Sequence, residues 1–154
     1  MKLKIRHDID FQLIGIQSEM QDYQFAYFLN RSTLFMFERM IKDISYLINS
    51  KKIYFSTFEH RESDLRRSSF LVKNRAFYSK PVNNSLNLFN ETRIRKSTFL
   101  IPELKEFNYF IKFVGIWKKE ELLELKIFLN SLPGINSPVN IDLGRIKSIT
   151  NLIF

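Results

Sequence analysis

Apolar positions along this chain mostly alternate or run together at strand length, and two segments, one towards each end, repeat them unambiguously at helical spacing. Residues 11–17, with Phe11, Leu13, Ile14 and Ile16, form an apolar run that predicts a first strand. Ser18-Glu19-Met20-Gln21 matches a capping box, in which the Ser18 hydroxyl accepts from the Gln21 amide and the Gln21 side chain reaches back. It predicts a helix over 19–30, with Tyr23, Ala26, Tyr27 and Asn30 along one stripe and Phe25, Phe28 and Leu29 widening the apolar surface. Residues 34–50 satisfy both periods. Leu34-Phe35-Met36-Phe37 reads as a strand, whereas Met40, Ile41, Ile44, Leu47 and Ile48 also fit a helix; strands are the reading adopted.

The middle of the chain is strand-like. Residues 52–58 alternate, with Ile53 and Phe55 on one face and Tyr54 and Phe58 on the other. The charged stretch 60–67 links them to a further strand at 69–73. Residues 75–92 contain Pro81, Asn83-Asn84, Ser85, Asn87 and Asn90, and predict a loop. Within it Leu86-Asn87-Leu88-Phe89 is read as folding back onto the core rather than as a docking segment. Residues 93–101 and 107–116 are the strongest strand candidates, and Pro102 should end the first, because it cannot donate to a ladder. The second is expected to be central and paired to the first. Phe107, Tyr109, Ile111 and Phe113 share one of its faces, opposite Asn108, Phe110, Lys112 and Val114. A helix over 118–132 follows, striped by Leu122, Leu125, Leu129 and Leu132, with Glu120, Glu121 and Glu124 in its first turns and Pro133-Gly134 after it. Residues 139–143 alternate as a last strand, and 145–154 form a short helix or tail. The pattern predicts an α+β class: residues 1–154 as a single two-layer domain, a mostly antiparallel sheet with two main helices on one face, ferredoxin-like or related.

Composition narrows the chemistry. The 154 residues include 16 Phe but only four Gly and four Pro, so core material is ample. With no cysteine, thiolate metal sites, disulfides and cysteine nucleophiles are excluded together, which fits a reducing compartment. The N-terminal residues carry basic side chains with no apolar run behind them, and the most apolar stretch, 107–117, is interrupted by Lys112 at about half a membrane span. A cytoplasmic protein with no membrane partner is the expectation. The net charge is +8, and residues 61–105 hold ten basic side chains against four acidic ones. Such an excess attracts acidic or phosphate-rich partners, although drift on a solvated face produces it equally. Arg66, Arg67, Arg93, Arg95 and Lys96 are the candidate contact residues for nucleic acid or an acidic protein.

Ile101-Pro102-Glu103, three residues, then Phe107-Asn108-Tyr109 resembles the motif of the IPExxxVDY family of Bacteroidota. Asp22-Tyr23-Gln24-Phe25-Ala26-Tyr27-Phe28-Leu29-Asn30 is similar to that family's first helix. Ile146-Lys147-Ser148 with Asn151-Leu152-Ile153-Phe154 is similar to its C-terminus, so the resemblance spans nearly the whole chain. It brings no activity with it, and implies a housekeeping setting near genes for ribonuclease III, acyl carrier protein or glycolytic enzymes. Phe107 and Asn108 stand where the family has Val and Asp. An amide keeps the acceptor oxygen but cannot act as a base, so a structural hydrogen bond is expected of Asn108.

The remaining chemistry is sparse. His7 and His60 have no evident orienting partner, Asp8 and Asp10 beside His7 offer too few oxygen ligands for a cation, and no cofactor or metal site is expected. Glu103 reads as a turn residue accepting hydrogen bonds. A glycine-punctuated aromatic motif of the RNA-binding sheet type is missing from the Arg/Lys-interleaved aromatics at 93–113. The reading is a non-enzymatic adaptor or binding protein whose partner is a protein or a ribonucleoprotein, with direct RNA binding as one version of it; the alternative is a small enzyme or ligand-binding domain using Glu103 and Tyr109.

Overall fold

The computed structural model describes residues 10–32, 34–81 and 93–154, with Pro81 and Arg93 described by backbone alone. In chain order the elements are β1 (Phe11–Ile16), α1 (Asp22–Asn30), β2 (Glu38–Arg39), β3 (Ile44–Ile48), β4 (Lys51–Phe55), β5 (Thr57–Glu62), β6 (Arg67–Lys73), β7 (Arg75–Pro81), β8 (Arg93–Phe99), β9 (Tyr109–Val114), α2 (Lys119–Ser131) and β10 (Val139–Asn140). Six strands form one antiparallel sheet in the order β10-β1-β9-β6-β5-β2, while β3-β4 and β7-β8 are separate two-stranded hairpins. The class is a mixed fold of mostly antiparallel sheet with two helices.

Strand alternation divides the core. Ile14, Ile16, Leu71, Tyr109, Ile111 and Phe113 point to one face, where Phe25, Ala26 and Leu29 of α1 and Leu125 and Leu129 of α2 pack over them. Both helices therefore lie on one face, as expected. Leu13, Phe70, Val72 and Phe110 point the other way, onto Ile53 and Phe55 of β4, Ala76 of β7, and Leu100, Ile101, Phe107, Ile146 and Leu152. The second face is thus covered as well, and the sheet lies between two packed layers instead of belonging to a two-layer sandwich. Phe107 joins this second cluster, against the expectation that it shares a face with Tyr109. It precedes the regular part of β9, and its ring fills the space that Gly15 leaves; a Cβ on Gly15 would meet that ring at 2.8 Å.

Four local expectations give way to tertiary contacts. The capping box does not form: the helix starts at Asp22, the Ser18 amide donates to Asn108 Oδ1 at 2.7 Å, and the Ser18 hydroxyl accepts from Met20. On α1 the buried residues are Phe25, Ala26 and Leu29, while Tyr23 and Tyr27 face solvent. Asn30 instead clasps Phe37, its Nδ2 donating to the Phe37 carbonyl and its Oδ1 accepting from the Phe37 amide. Residues 52–58 are two strands, not one; the chain turns at Ser56, whose hydroxyl donates to Asp22. The loop expected over 75–92 is a strand as far as Pro81, with Arg75↔Phe99 to Pro81↔Arg93 in register, and Leu86 to Phe89 lie outside the described residues. Hence β8 pairs with β7, and the predicted pairing of β8 with β9 is replaced by β1 and β6 on either side of β9. Residues 34–50 hold the short strands β2 and β3, consistent with the strand reading. The β3-β4 turn is closed by Asn49 and Ser50, both at positive φ, the geometry of a two-residue hairpin turn.

Candidate functional site

The residues 101–109 that carry the family resemblance are held by one buried asparagine, Asn74, at the bend between β6 and β7. Its Oδ1 accepts from the Ile101 amide at 2.8 Å, and its Nδ2 donates to the carbonyls of Leu104 and Phe107 at 3.0 and 2.9 Å. Its own amide donates to the Asn108 carbonyl and its carbonyl accepts from the Leu100 amide, both at 2.8 Å. Pro102–Leu104 forms a single 3₁₀ turn, with Pro102 at its start, where a missing N–H costs nothing. The Glu103 carboxylate accepts from the Ser148 hydroxyl at 2.7 Å, tying the turn to the C-terminal segment.

Asn108 acts as the sequence implied, through an oxygen. Its Oδ1 accepts from Ser18 and its amide donates to the Ile16 carbonyl, so it stitches the end of β1 to the start of β9. An aspartate would make the same acceptor bond. Asn108→Asp is therefore expected to hold stability within about 1 kcal/mol, while Asn108→Ala should cost about 1–3 kcal/mol by orphaning the Ser18 amide. Urea denaturation of the two variants checks this; equal losses would remove the acceptor role. Tyr109 is buried against Phe25, ring centroids 4.9 Å apart, and its hydroxyl donates to the Met20 carbonyl. Burial first, then the Asp22 charge, hold that hydroxyl well above its ordinary pKa. Tyr109 faces the helices, whereas Glu103 reaches the segment packed on the opposite face, so the two acid–base candidates do not meet.

The five basic candidates do not form one patch. Arg67 is enclosed: it pairs with Glu62 and, at 2.6 Å, with Glu121, and its guanidinium lies 4.0 Å from the Trp117 ring centroid. Burial opposes its charge, but hydrogen bonds to the two glutamates outweigh that and raise its pKa. Arg66 is exposed on the turn before β6, at φ 49°, and Gly115 (φ +94°) leaves room beside it, since a Cβ there would meet Arg67 Cβ at 2.8 Å. Arg95 lies on a different hairpin, opposite Ser79. Lys96, its neighbour on β8, faces the opposite side of that hairpin, and the Arg93 side chain lies outside the described residues.

What the fold does gather was not singled out in the sequence. On the outer face of β7-β8, Arg75 lies 4.8 Å and Arg95 4.1 Å from the centroid of the Phe77 ring, which is 45% exposed. Arg75 also lies over Phe99 and donates to Ser97. The inner face of the hairpin buries Ala76 and half-buries Tyr78 against the core. β7 and β8 together contain five basic residues and no acidic one, and no described carboxylate pairs with Arg75 or Arg95. The signal was available: once 75–81 is a strand, Arg75 and Phe77 alternate onto one face.

On the helix face, His60 Nδ1 accepts from the Met36 amide at 3.0 Å, so the neutral ring carries its proton on Nε2, 3.3 Å from Glu62 but out of hydrogen-bond alignment. A cavity of about 130 Å³ lies beside this cluster, lined in part by Phe35, Glu62, Arg67, Phe113, Trp117 and Glu121; neither Glu103 nor Tyr109 lines it. Among the described residues no group of three or more His, Asp or Glu is placed to hold a metal ion, and no helix is long and apolar enough to cross a membrane. No family model, curated protein or solved structure matches the chain.

Proposed function

We propose that the chain is a non-enzymatic binding protein of the IPExxxVDY family, working in the cytoplasm, that holds a single RNA strand on the outer face of β7-β8. The observation that carries this reading is the exposed Phe77 ring flanked by Arg75 and Arg95 on two strands that contain no acidic residue. Guanidinium groups free of internal carboxylates meet phosphates, and an aromatic ring beside them offers a face or edge to an unpaired base. Internal pairing has meanwhile removed Arg67 from the surface charge available to a partner. The family reading is supported by the way the motif residues interlock, Glu103 with Ser148 and Tyr109 with Phe25, joining the same three sequence blocks that carry the resemblance. A ferredoxin-like core is supported by the strand order β10-β1-β9-β6, with α1 between β1 and β6 in sequence and α2 joining β9 to β10. β5 and β2 then extend that core at the β6 edge.

Fluorescence anisotropy with a labelled single-stranded RNA, repeated over a salt series, tests the reading. Replacing Arg75 and Arg95 together by Ala should weaken binding by a similar factor across sequences and flatten the logarithmic salt slope by about 1.4, at roughly 0.7 for each phosphate no longer neutralised. Phe77→Ala should cost roughly 5- to 150-fold in affinity if a base stacks there. Wild-type protein that fails to bind RNA at low salt, or variants that bind as well as wild type, would turn the reading to a protein partner.

A further inference from the structure

Lys112 occupies an interior position of the central strand β9. It faces the second side of the sheet between Leu13 of β1 and Phe70 of β6, and is only 3% exposed. Its ammonium donates to the Leu152 carbonyl at 2.6 Å and lies 3.8, 4.7 and 5.6 Å from the ring centroids of Phe154, Phe11 and Phe70. An ammonium has three donors. One meets a carbonyl, the rings crowd the rest, and no carboxylate among the described residues forms an ion pair with it. Asp10, ahead of β1, is the charged group that acts on it, favouring the ammonium. On the same face β6 presents Ser68, Phe70 and Val72 and β9 presents Phe110 and Val114, while residues 149–154 contain no titratable side chain.

The floor of this cage is central sheet, but its roof is a short segment: the 3₁₀ turn Ile149–Leu152 followed by Ile153 and Phe154, each about half exposed. Asn151 Nδ2, donating to the Leu100 carbonyl at 2.8 Å, is the roof's other side-chain tie. One buried anchor, Leu152, followed by two half-exposed residues and no strand pairing, places such a segment towards the low-stability end of the molecule.

We propose that residues 149–154 are a strap over Lys112 whose closure is linked to the charge on that amine, the strap closing more firmly when the proton leaves. Closure takes an ammonium out of water with no ion-pair partner among the described residues, and the three rings with one carbonyl offset only part of that cost. Opening returns it to water. In keeping with this, burial lowers the Lys112 pKa from 10.5 to about 8, Asp10 acting the other way. The sign follows from linkage. The closed form binds fewer protons between pH about 8 and 10.5, so closure gains over that window and is level below it. Between pH 7 and 9 the closed-to-open ratio should rise about tenfold.

Site-specific 4-fluorophenylalanine at position 154 reads the ring beside the amine by fluorine NMR. In wild type the closed signal should grow from pH 7 to 9; in Lys112→Met, which keeps the length and removes the charge, it should dominate at every pH. An open signal that grows with pH, or the same titration in Lys112→Met, overturns the proposal. The Lys112 ¹³Cε shift, titrated in wild type and in Phe154→Ala, decides independently of how Lys112→Met folds: the midpoint should move from about 8 towards 10.5 in Phe154→Ala, and an unmoved midpoint overturns the strap.

Discussion

Asn74→Ala is expected to destabilise the protein by about 2–6 kcal/mol. The substitution strands the Ile101 amide and the Phe107 carbonyl, while the Leu104 carbonyl keeps the Phe107 amide as donor, and each buried polar group without a partner costs about 1–3 kcal/mol. Water cannot easily take their place, since Asn74 and Ile101 are both fully buried. Against a typical total of roughly 5–15 kcal/mol, that is enough to unfold much of the population under mild stress. Asn74→Asp should fare no better, because it keeps the acceptor but loses both donors and brings in a buried charge. Urea denaturation gives the answer: a loss under about 1 kcal/mol would mean that the 101–107 turn holds itself. Because Asn74 is also the bend between β6 and β7, the RNA affinity proposed for the hairpin should fall alongside stability.

Phe113→Ala should cost about 3–5 kcal/mol, the range for deleting a fully buried aromatic. Phe113 is 1% exposed and meets Trp117 edge-on with ring centroids 5.1 Å apart, with Phe35 at 6.4 Å. The void left would join the cavity of about 130 Å³ that already lies beside it, which removes the option of local collapse. Trp117 is the chain's single tryptophan, so its fluorescence reports the change directly. A stability loss below about 1.5 kcal/mol with unchanged emission would show that the neighbouring helix refills the space.

Elements whose apolar pattern answers to one dominant contact were legible in the sequence. β1, β9 and α2 fall within a few residues of their expected limits because each buries a face against the sheet core whatever else surrounds it. The pairing of strands was less so. β8 and β9 adjoin in sequence, yet the side chain and backbone of Asn74 turn the chain between them into a different layer. No periodicity marks a single asparagine as that hub. The capping box failed for a related reason: the Ser18 amide has a partner 90 residues away in Asn108, and a local motif cannot register the competition. β7 reads as a loop in the sequence because Pro81 ends it and the turn residues Asn83-Asn84, Ser85, Asn87 and Asn90 follow directly. Charge counting located the basic segment but not which of its charges are paired internally. Arg67 is neutralised by Glu62, five residues back, and by Glu121, 54 residues on, and only the second of these needs the fold.

The central place of β1 has a kinetic consequence. Its six residues form ladders only with β9 and β10, so nothing it pairs with has been made until synthesis has passed residue 109. At roughly 5–20 residues per second, the growing chain carries an apolar hexamer without a sheet partner for several seconds. During that time the chain between can fold its hairpins, β3-β4 and then β7-β8, each from neighbouring sequence, whereas the main sheet has to close late around the first strand made. Emergence from the ribosome is thus the interval in which this protein is most exposed to mispairing, and the one in which a chaperone would find β1 to hold.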